Sequence, residues 1–398
     1  MPAGRKEPGR DSPPDRAGSF GAECSPVGER WNGTEAVSSR AEGWRVGVVL
    51  SPAGGGAVRG YEEFGAGEEK REKKDKEVMT QADELMLGQI IHHQDQVMTG
   101  QKAAEPEVTI ACGLLRGKQV NVKGTDRLVN VFLGIPFAKA LVGSLRFSPP
   151  EPPDPWNDLK DATSYPLLCP QDLTTLKKAE KSYKEKHIQF RTSEDCLYLN
   201  GYSPADKKNK LPVVVWIHGG NFVFGGASRC NGSALSTCKN IVVVVIIQYR
   251  LGLLGFFNTG DEHARGNWAF LDQEEALQWV RENIEHFGGD PGSVTLFGVS
   301  AGSCCVFAQV LSTLSKGLFH KAILESGVLI PSNKDLLLSA DLKEIPFLPL
   351  VLDGVFLHKS PEDTLAGKEF NMVLFMIGVT NNEFGWNIKS ILERLLLL

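Results

Sequence analysis

No stretch of this 398-residue sequence approaches the ~18 consecutive apolar residues that a membrane-spanning helix requires, so no transmembrane segment is predicted. Met1 to Asp15 is polar and rich in Pro and Gly, with no apolar h-region. No signal peptide is predicted there, and a chain translated as written would stay in the cytosol. Neither sign of charge dominates. A net charge of -5 argues against a nucleic-acid or anionic-membrane surface. Cysteine is sparse, at eight residues, and no Cys-x-x-Cys pair occurs. That excludes a disulfide-built scaffold and suggests no metal site, and no cofactor is implied either. Internal repeats are absent.

What is present divides the chain in two. Residues 1–105 are rich in Gly, Pro, Ser and interleaved charge, including the run from Gly67 to Glu77. Such mixed-charge sequence stays solvated, and this region is predicted to be a mostly disordered, low-complexity extension. A docking tail is the functional alternative, but both charge signs are mixed throughout. Val78 to Met98 could form a short helix, although no strong apolar stripe supports it. From residue 106 to 398 the texture is that of one domain, and 42% hydrophobic residues suffice for a substantial core.

Within that domain, strands and helices alternate. Asn130–Phe137, Leu211–Ile217, Asn240–Tyr249, Val294–Phe297, Lys321–Ser326 and Met372–Val379 read as strands. Several are apolar on both faces, as central strands of a mostly parallel sheet covered by helices are. Asp272 to His286 reads as a helix, with Leu277, Val280 and Ile284 at helical spacing, Asp272 as N-cap and Gly288-Gly289 as the stop. The pattern predicts an α/β fold with a doubly wound sheet.

Chemistry concentrates at Gly298-Val-Ser-Ala-Gly302. A lone Gly-x-Ser-x-Gly is commonly an ordinary turn. Here it lies between a predicted strand and a predicted helix, the context of a nucleophile elbow that exposes Ser300. Upstream, His218-Gly-Gly-Asn221 directly follows another strand. By itself it could be a structural histidine and a strand-ending turn. Two such motifs at the C-terminal ends of strands coincide with the place where open α/β sheets bind ligands.

These motifs resemble those of the type-B carboxylesterases, the family of the mammalian liver and intestinal carboxylesterases and the cholinesterases. Further residues carry the likeness: Phe132–Ala138 with Leu145–Phe147, Ser193–Asn200, Gly266–Gln273, Phe319–Gly327 and Val379–Trp386. The resemblance implies an α/β-hydrolase fold and a serine carboxylic-ester hydrolase working through an acyl-enzyme, with small-molecule esters as substrates. By position, Ser300 is implied as nucleophile and Glu383 as triad acid. Gly220, Asn221 and Ala301 are implied as oxyanion-hole donors. Cys169 and Cys196 match the family's first disulfide. The implied compartment is the endoplasmic reticulum lumen or the cell exterior, and only there would the sequon at Asn231 be glycosylated. Cys304 and Cys305 read as buried small hydrophobes. Oligomeric state is not legible.

The chain also departs from the pattern. Val299 stands where the family keeps a glutamate before the nucleophile, and Asn221 where a third glycine is common. The segment between Ile330 and Phe347 is short for the family. No histidine follows Glu383, whereas the triad order Ser–Glu–His requires one. His286 and His320 precede the acid and match no family histidine motif. The expectation is a C-terminally truncated form, weakly active or inactive. The alternatives are a catalytically silent binding protein on an esterase fold and a non-functional isoform.

Overall fold

Strand-forming residues dominate the runs that build the sheet. Val213–Ile217 and Val243–Ile247 are buried along their whole lengths, as befits β-branched chains inside a layer covered on both faces. The computed structural model describes residues 44–49, 105–122, 125–174, 176–177, 191–206, 210–237, 243–329 and 350–380. The expected helix at Val78–Met98 and the acid candidate Glu383 lie outside the described residues.

Twelve strands are described. They are β1 (Trp44–Val49), β2 (Glu107–Ile110), β3 (Gly113–Arg116), β4 (Lys118–Asn121), β5 (Leu128–Pro136), β6 (Lys160–Asp161), β7 (Tyr198–Pro204), β8 (Leu211–Ile217), β9 (Val243–Ile247), β10 (Gly289–Val299), β11 (Lys321–Glu325) and β12 (Leu374–Thr380). Nine form one sheet in the order β1-β12-β11-β10-β8-β9-β7-β5-β4, and β2, β3 and β6 form a small second sheet. The middle five strands, β12 to β9 in that order, run parallel. The flanking pairs are antiparallel. Within residues 1–105, Trp44–Val49 is thus an edge strand on β12.

Helices cover the sheet: α1 (Ser233–Ser236), α2 (Gly252–Phe256), α3 (Trp268–Asn283), α4 (Ala301–Leu311) and α5 (Pro361–Ala366). Alternate strand residues separate into two apolar layers. Val213, Val215, Ile217, Leu296 and Leu324 share one with Leu277, Val280, Val306 and Val310 of α3 and α4. Val214, Trp216, Phe297 and Ile323 share the other with Leu235 of α1. This is the period-two alternation of a strand acting on both faces at once.

One helix differs from the sequence reading. α3 begins at Trp268, after Asn267, four residues before the expected cap. Asp272 is fully buried inside the helix. Its carboxylate takes a forked pair of hydrogen bonds from the Arg250 guanidinium, at 2.7 and 2.8 Å, and a third from the Arg250 amide at 3.0 Å. A buried guanidinium needs such a partner. The acid that resembles a cap therefore serves a tertiary contact. The expected stop is present: a 3₁₀ turn, Ile284–Phe287, ends at Gly288 in the left-handed region.

Candidate active site

Parallel strands deliver their C-terminal ends to one edge of the sheet, and the candidate residues collect there. β10 ends at Val299, and Ser300 makes the turn into α4 with φ 56° and ψ -123°. A non-glycine residue there is strained, and such strain is held only where neighbours over-determine it. Here the Ser300 amide donates to the Glu325 carbonyl at 2.8 Å, and the Ser300 carbonyl accepts from the Cys304 amide at 3.0 Å. The serine itself is exposed. A Cβ on Gly302 would lie 2.1 Å from the Ile217 carbonyl oxygen, so only glycine lets α4 start this close to β8.

The second motif comes off β8, the strand beside β10. Gly219 lies against the elbow: a Cβ there would be 2.6 Å from the Val299 carbonyl oxygen and 3.4 Å from the Ser300 Cβ. Gly220 (φ 115°), Asn221 (φ 53°) and Phe222 (φ 61°) then reverse the chain. The Gly220 carbonyl accepts from the amides of Val223 and Phe224 at 3.0 and 3.1 Å. Among the described residues, the amides of Gly220, Asn221 and Ala301 donate to no protein acceptor. Asn221 is exposed. The structure thus brings Ser300, Ala301, Gly220 and Asn221 to one place, next to a strand end with three free amides.

His218 does not face the serine as a base. Its ring is buried, its Nδ1 lies 2.8 Å from the Gly219 carbonyl, and its Nε2 has no partner. Nδ1 therefore carries the proton and donates. Burial holds the pKa down at about 4, outweighing the Gly219 hydrogen bond. His320 sits at the wrong end of the sheet. Its amide donates to the Val294 carbonyl at 2.8 Å, and its Nδ1 accepts from the Val294 amide at 3.2 Å. Val294 to Ser300 is six strand residues, about 20 Å. His286 lies in the 3₁₀ turn before β10, at that same distant end. Among the described residues, no side chain hydrogen-bonds the Ser300 hydroxyl.

The motif-based reading missed three supporting residues. Tyr249, two residues past the end of β9, donates its hydroxyl to the His218 carbonyl at 2.7 Å and stacks its ring on the imidazole. Gln171 exchanges two hydrogen bonds with the Gly225 backbone, at 2.8 and 2.9 Å. Gln248 donates to the carbonyls of Leu167 and Cys196. Only contacts between distant segments identify them. Cys169 and Cys196 form a disulfide, and Gln171 ties that loop to the far end of the Gly-rich turn. Cys305 is buried, whereas Cys304 is partly exposed as a residue although its thiol points inward. Burial pushes the Cys304 thiol up to about 12. Val299 packs against the second apolar layer. Asn231 accepts from the Ser233 amide at 2.8 Å. A pocket of about 340 Å³ opens beside the turn, lined by Val223, Leu251, Leu253 and Leu254 with Pro170, Gln171, Asp172 and Gly252.

A mixed sheet with a parallel centre between helical layers, with a strained serine at a strand–helix elbow, defines an α/β-hydrolase. The chain belongs to the carboxylesterase family, whose model matches residues 104–334. It is 49% identical over 337 residues to a medium-chain fatty acyl-CoA hydrolase precursor of Anas platyrhynchos, covering 75% of this chain and 60% of the relative. It is 46% identical to carboxylesterase 1D of Rattus norvegicus (74% and 61%) and 45% identical to the liver carboxylesterase of Sus scrofa (74% and 61%). The chain therefore spans about three-fifths of the length of these relatives. A solved structure of a thermophilic pNB esterase superposes with a TM-score of 0.50 at 45% identity, over 56% of this chain and 45% of that one.

Proposed function

We propose that the site is that of a serine carboxylic-ester hydrolase. The carrying observation is the strained, exposed Ser300 abutting a Gly-rich turn with unpaired amides. In this reading the Ser300 Oγ attacks the substrate's carbonyl carbon, and the Oγ proton passes to a base. The amides of Gly220, Asn221 and Ala301 hold the tetrahedral oxyanion. Collapse expels the alcohol with a proton, and water cleaves the acyl-serine in a second round. Glu383 is the proposed acid that orients the base. The apolar pocket beside Val223 suits the hydrocarbon part of an ester, and the relative named as a fatty acyl-CoA hydrolase extends the proposal to thioesters. The disulfide argues for folding in an oxidising compartment, where Asn231 becomes a glycosylation candidate.

Among the described residues no base reaches Ser300. The sequence holds no histidine after His358, and of its eight histidines only His92, His93 and His187 lie outside the described residues. Loss of a triad histidine costs roughly 10⁶ in kcat and leaves ~10³–10⁴ over water. A chain lacking that base would retain only this residual hydrolysis. That no base reaches Ser300 among the described residues favours a second reading, a silent binding protein on the same scaffold. Turnover of an aryl ester by the purified chain and by Ser300→Ala separates them. Slow turnover abolished by the substitution supports the hydrolase. Turnover no different from that of Ser300→Ala supports the silent protein. Grafting the C-terminal portion of a relative should raise turnover and fluorophosphonate labelling together.

A further inference from the structure

The Gly-rich turn leaves through two consecutive glycines, Gly225 (φ 132°) and Gly226 (φ 153°). Glycine accepts these angles because it has no Cβ, and for the same reason it holds no conformation by itself. The near leg of the turn comes off β8, where the sheet fixes it. The far leg needs contacts from elsewhere in the chain. Gln171 supplies them. Its Oε1 accepts from the Gly225 amide at 2.9 Å, and its Nε2 donates to the Gly225 carbonyl at 2.8 Å. One side chain thus pairs with both polar groups of one residue, as an antiparallel neighbour would. The Nε2 also donates to the Cys169 carbonyl at 3.0 Å, which ties the carboxamide to the disulfide loop. Both donors and one acceptor site of the amide are used. Gln171 lines the same pocket as Val223 and Leu251.

We infer that Gln171 is a positioning residue: its primary amide fixes the far leg of the turn, and through it the Gly220 and Asn221 amides proposed to hold the oxyanion. The effect on turnover rests on the hydrolase reading, whereas the effect on the turn does not. The role demands a donor and an acceptor on one planar group facing Gly225. An ionised glutamate has only acceptors and would confront the carbonyls of Gly225 and Cys169. A protonated glutamate has one donor and one acceptor, enough to restore the pair with Gly225. Facing two carbonyls, that carboxyl would titrate above its usual ~4.3.

Gln171→Glu and Gln171→Ala test this together. The amides of Val223 and Phe224 hydrogen-bond the Gly220 carbonyl, so their exchange reports the turn. In Q171A it should be at least ~10-fold faster than in the parent at every pH. In Q171E it should be equally fast at about pH 8 and return to the parent's rate at about pH 5, where the carboxyl is protonated. With an aryl ester, kcat should fall ~10–100-fold in Q171A with KM little changed. The kcat of Q171E relative to the parent should recover on acidification in step with the exchange. Lost packing alone would give no such rescue, and Q171E at low pH is its own control for folding should Q171A prove unstable. Parent-like exchange in Q171A, a Q171E that does not recover at low pH, or faster exchange with kcat unmoved would each overturn the inference. A parent without turnover would refute the hydrolase reading instead, and exchange alone would then decide whether Gln171 sets the turn.

Discussion

The Tyr249 hydroxyl donates to the His218 carbonyl at 2.7 Å while the two rings stack 4.5 Å apart at 16°. One residue just past β9 thereby holds both the backbone and the side chain of the residue that opens the Gly-rich turn. The next residues reinforce it. Arg250 is locked to Asp272, and the Gly252 amide donates to the Phe222 carbonyl at 2.8 Å. The turn is held from behind by a neighbouring strand rather than by its own sequence.

Tyr249→Phe keeps the ring stack and removes only the hydroxyl, leaving a buried carbonyl without its donor. The expected loss of stability is about 1–3 kcal/mol. Urea unfolding of both proteins measures it. A change below the error of the midpoint would mean that the His218 carbonyl finds another donor.

His218 makes stability depend on pH. Its folded pKa is about 4 against an ordinary 6.5, because burial penalises the charged ring. Between these values the unfolded chain binds the proton and the folded one does not, so stability rises with pH across the window and is lost as pH falls from 6.5 towards 4. The full loss from this residue is roughly 3 kcal/mol at the acid end. Comparing unfolding free energies at pH 7 and pH 4.5 in the parent and in His218→Gln isolates it. The substitution should flatten the slope, and parallel curves would contradict the assignment.

Gly302→Ala forces a methyl group against the Ile217 carbonyl. Overpacking of this kind costs ~1–3 kcal/mol or more and should displace Ser300 with the start of α4. Gly201→Ala is the control. It meets only the Ile135 Cδ1 at 4.0 Å and should be neutral or stabilising by up to about 1 kcal/mol. Equal melting temperatures for the two variants would rule out the crowded elbow.

The Cys169–Cys196 bond closes a loop with a sequence separation of 27. On the chain-entropy argument, C169A/C196A should lose about 3.5 kcal/mol. The loop's Gln171 clamp on Gly225 should loosen with it, seen as faster exchange of the Gly225 amide. Free thiols at both positions in material folded under oxidising conditions would remove the prediction.

Local sequence determined a good deal of this molecule. The valine runs of β8 and β9 and the glycines around Ser300 marked the central strands and the elbow, because strand burial and tight turns act on nearest neighbours. Gly288 marked a helix end for the same reason. Tertiary structure alone decided the rest. Asp272 looks like a cap in sequence but answers Arg250, because a buried guanidinium needs a carboxylate and nothing local announces it. His320 and His286 follow or precede the motif strands closely in sequence, yet the direction of β10 carries them about 20 Å from Ser300. Tyr249, Gln171 and Gln248 bear no motif, and only folding brings them against the turn they hold. Trp44–Val49 sits in a stretch whose composition predicts no order, yet it pairs as an antiparallel strand with β12. A strand at a sheet edge is defined by its partner's open hydrogen bonds, and these exist only once the sheet has formed.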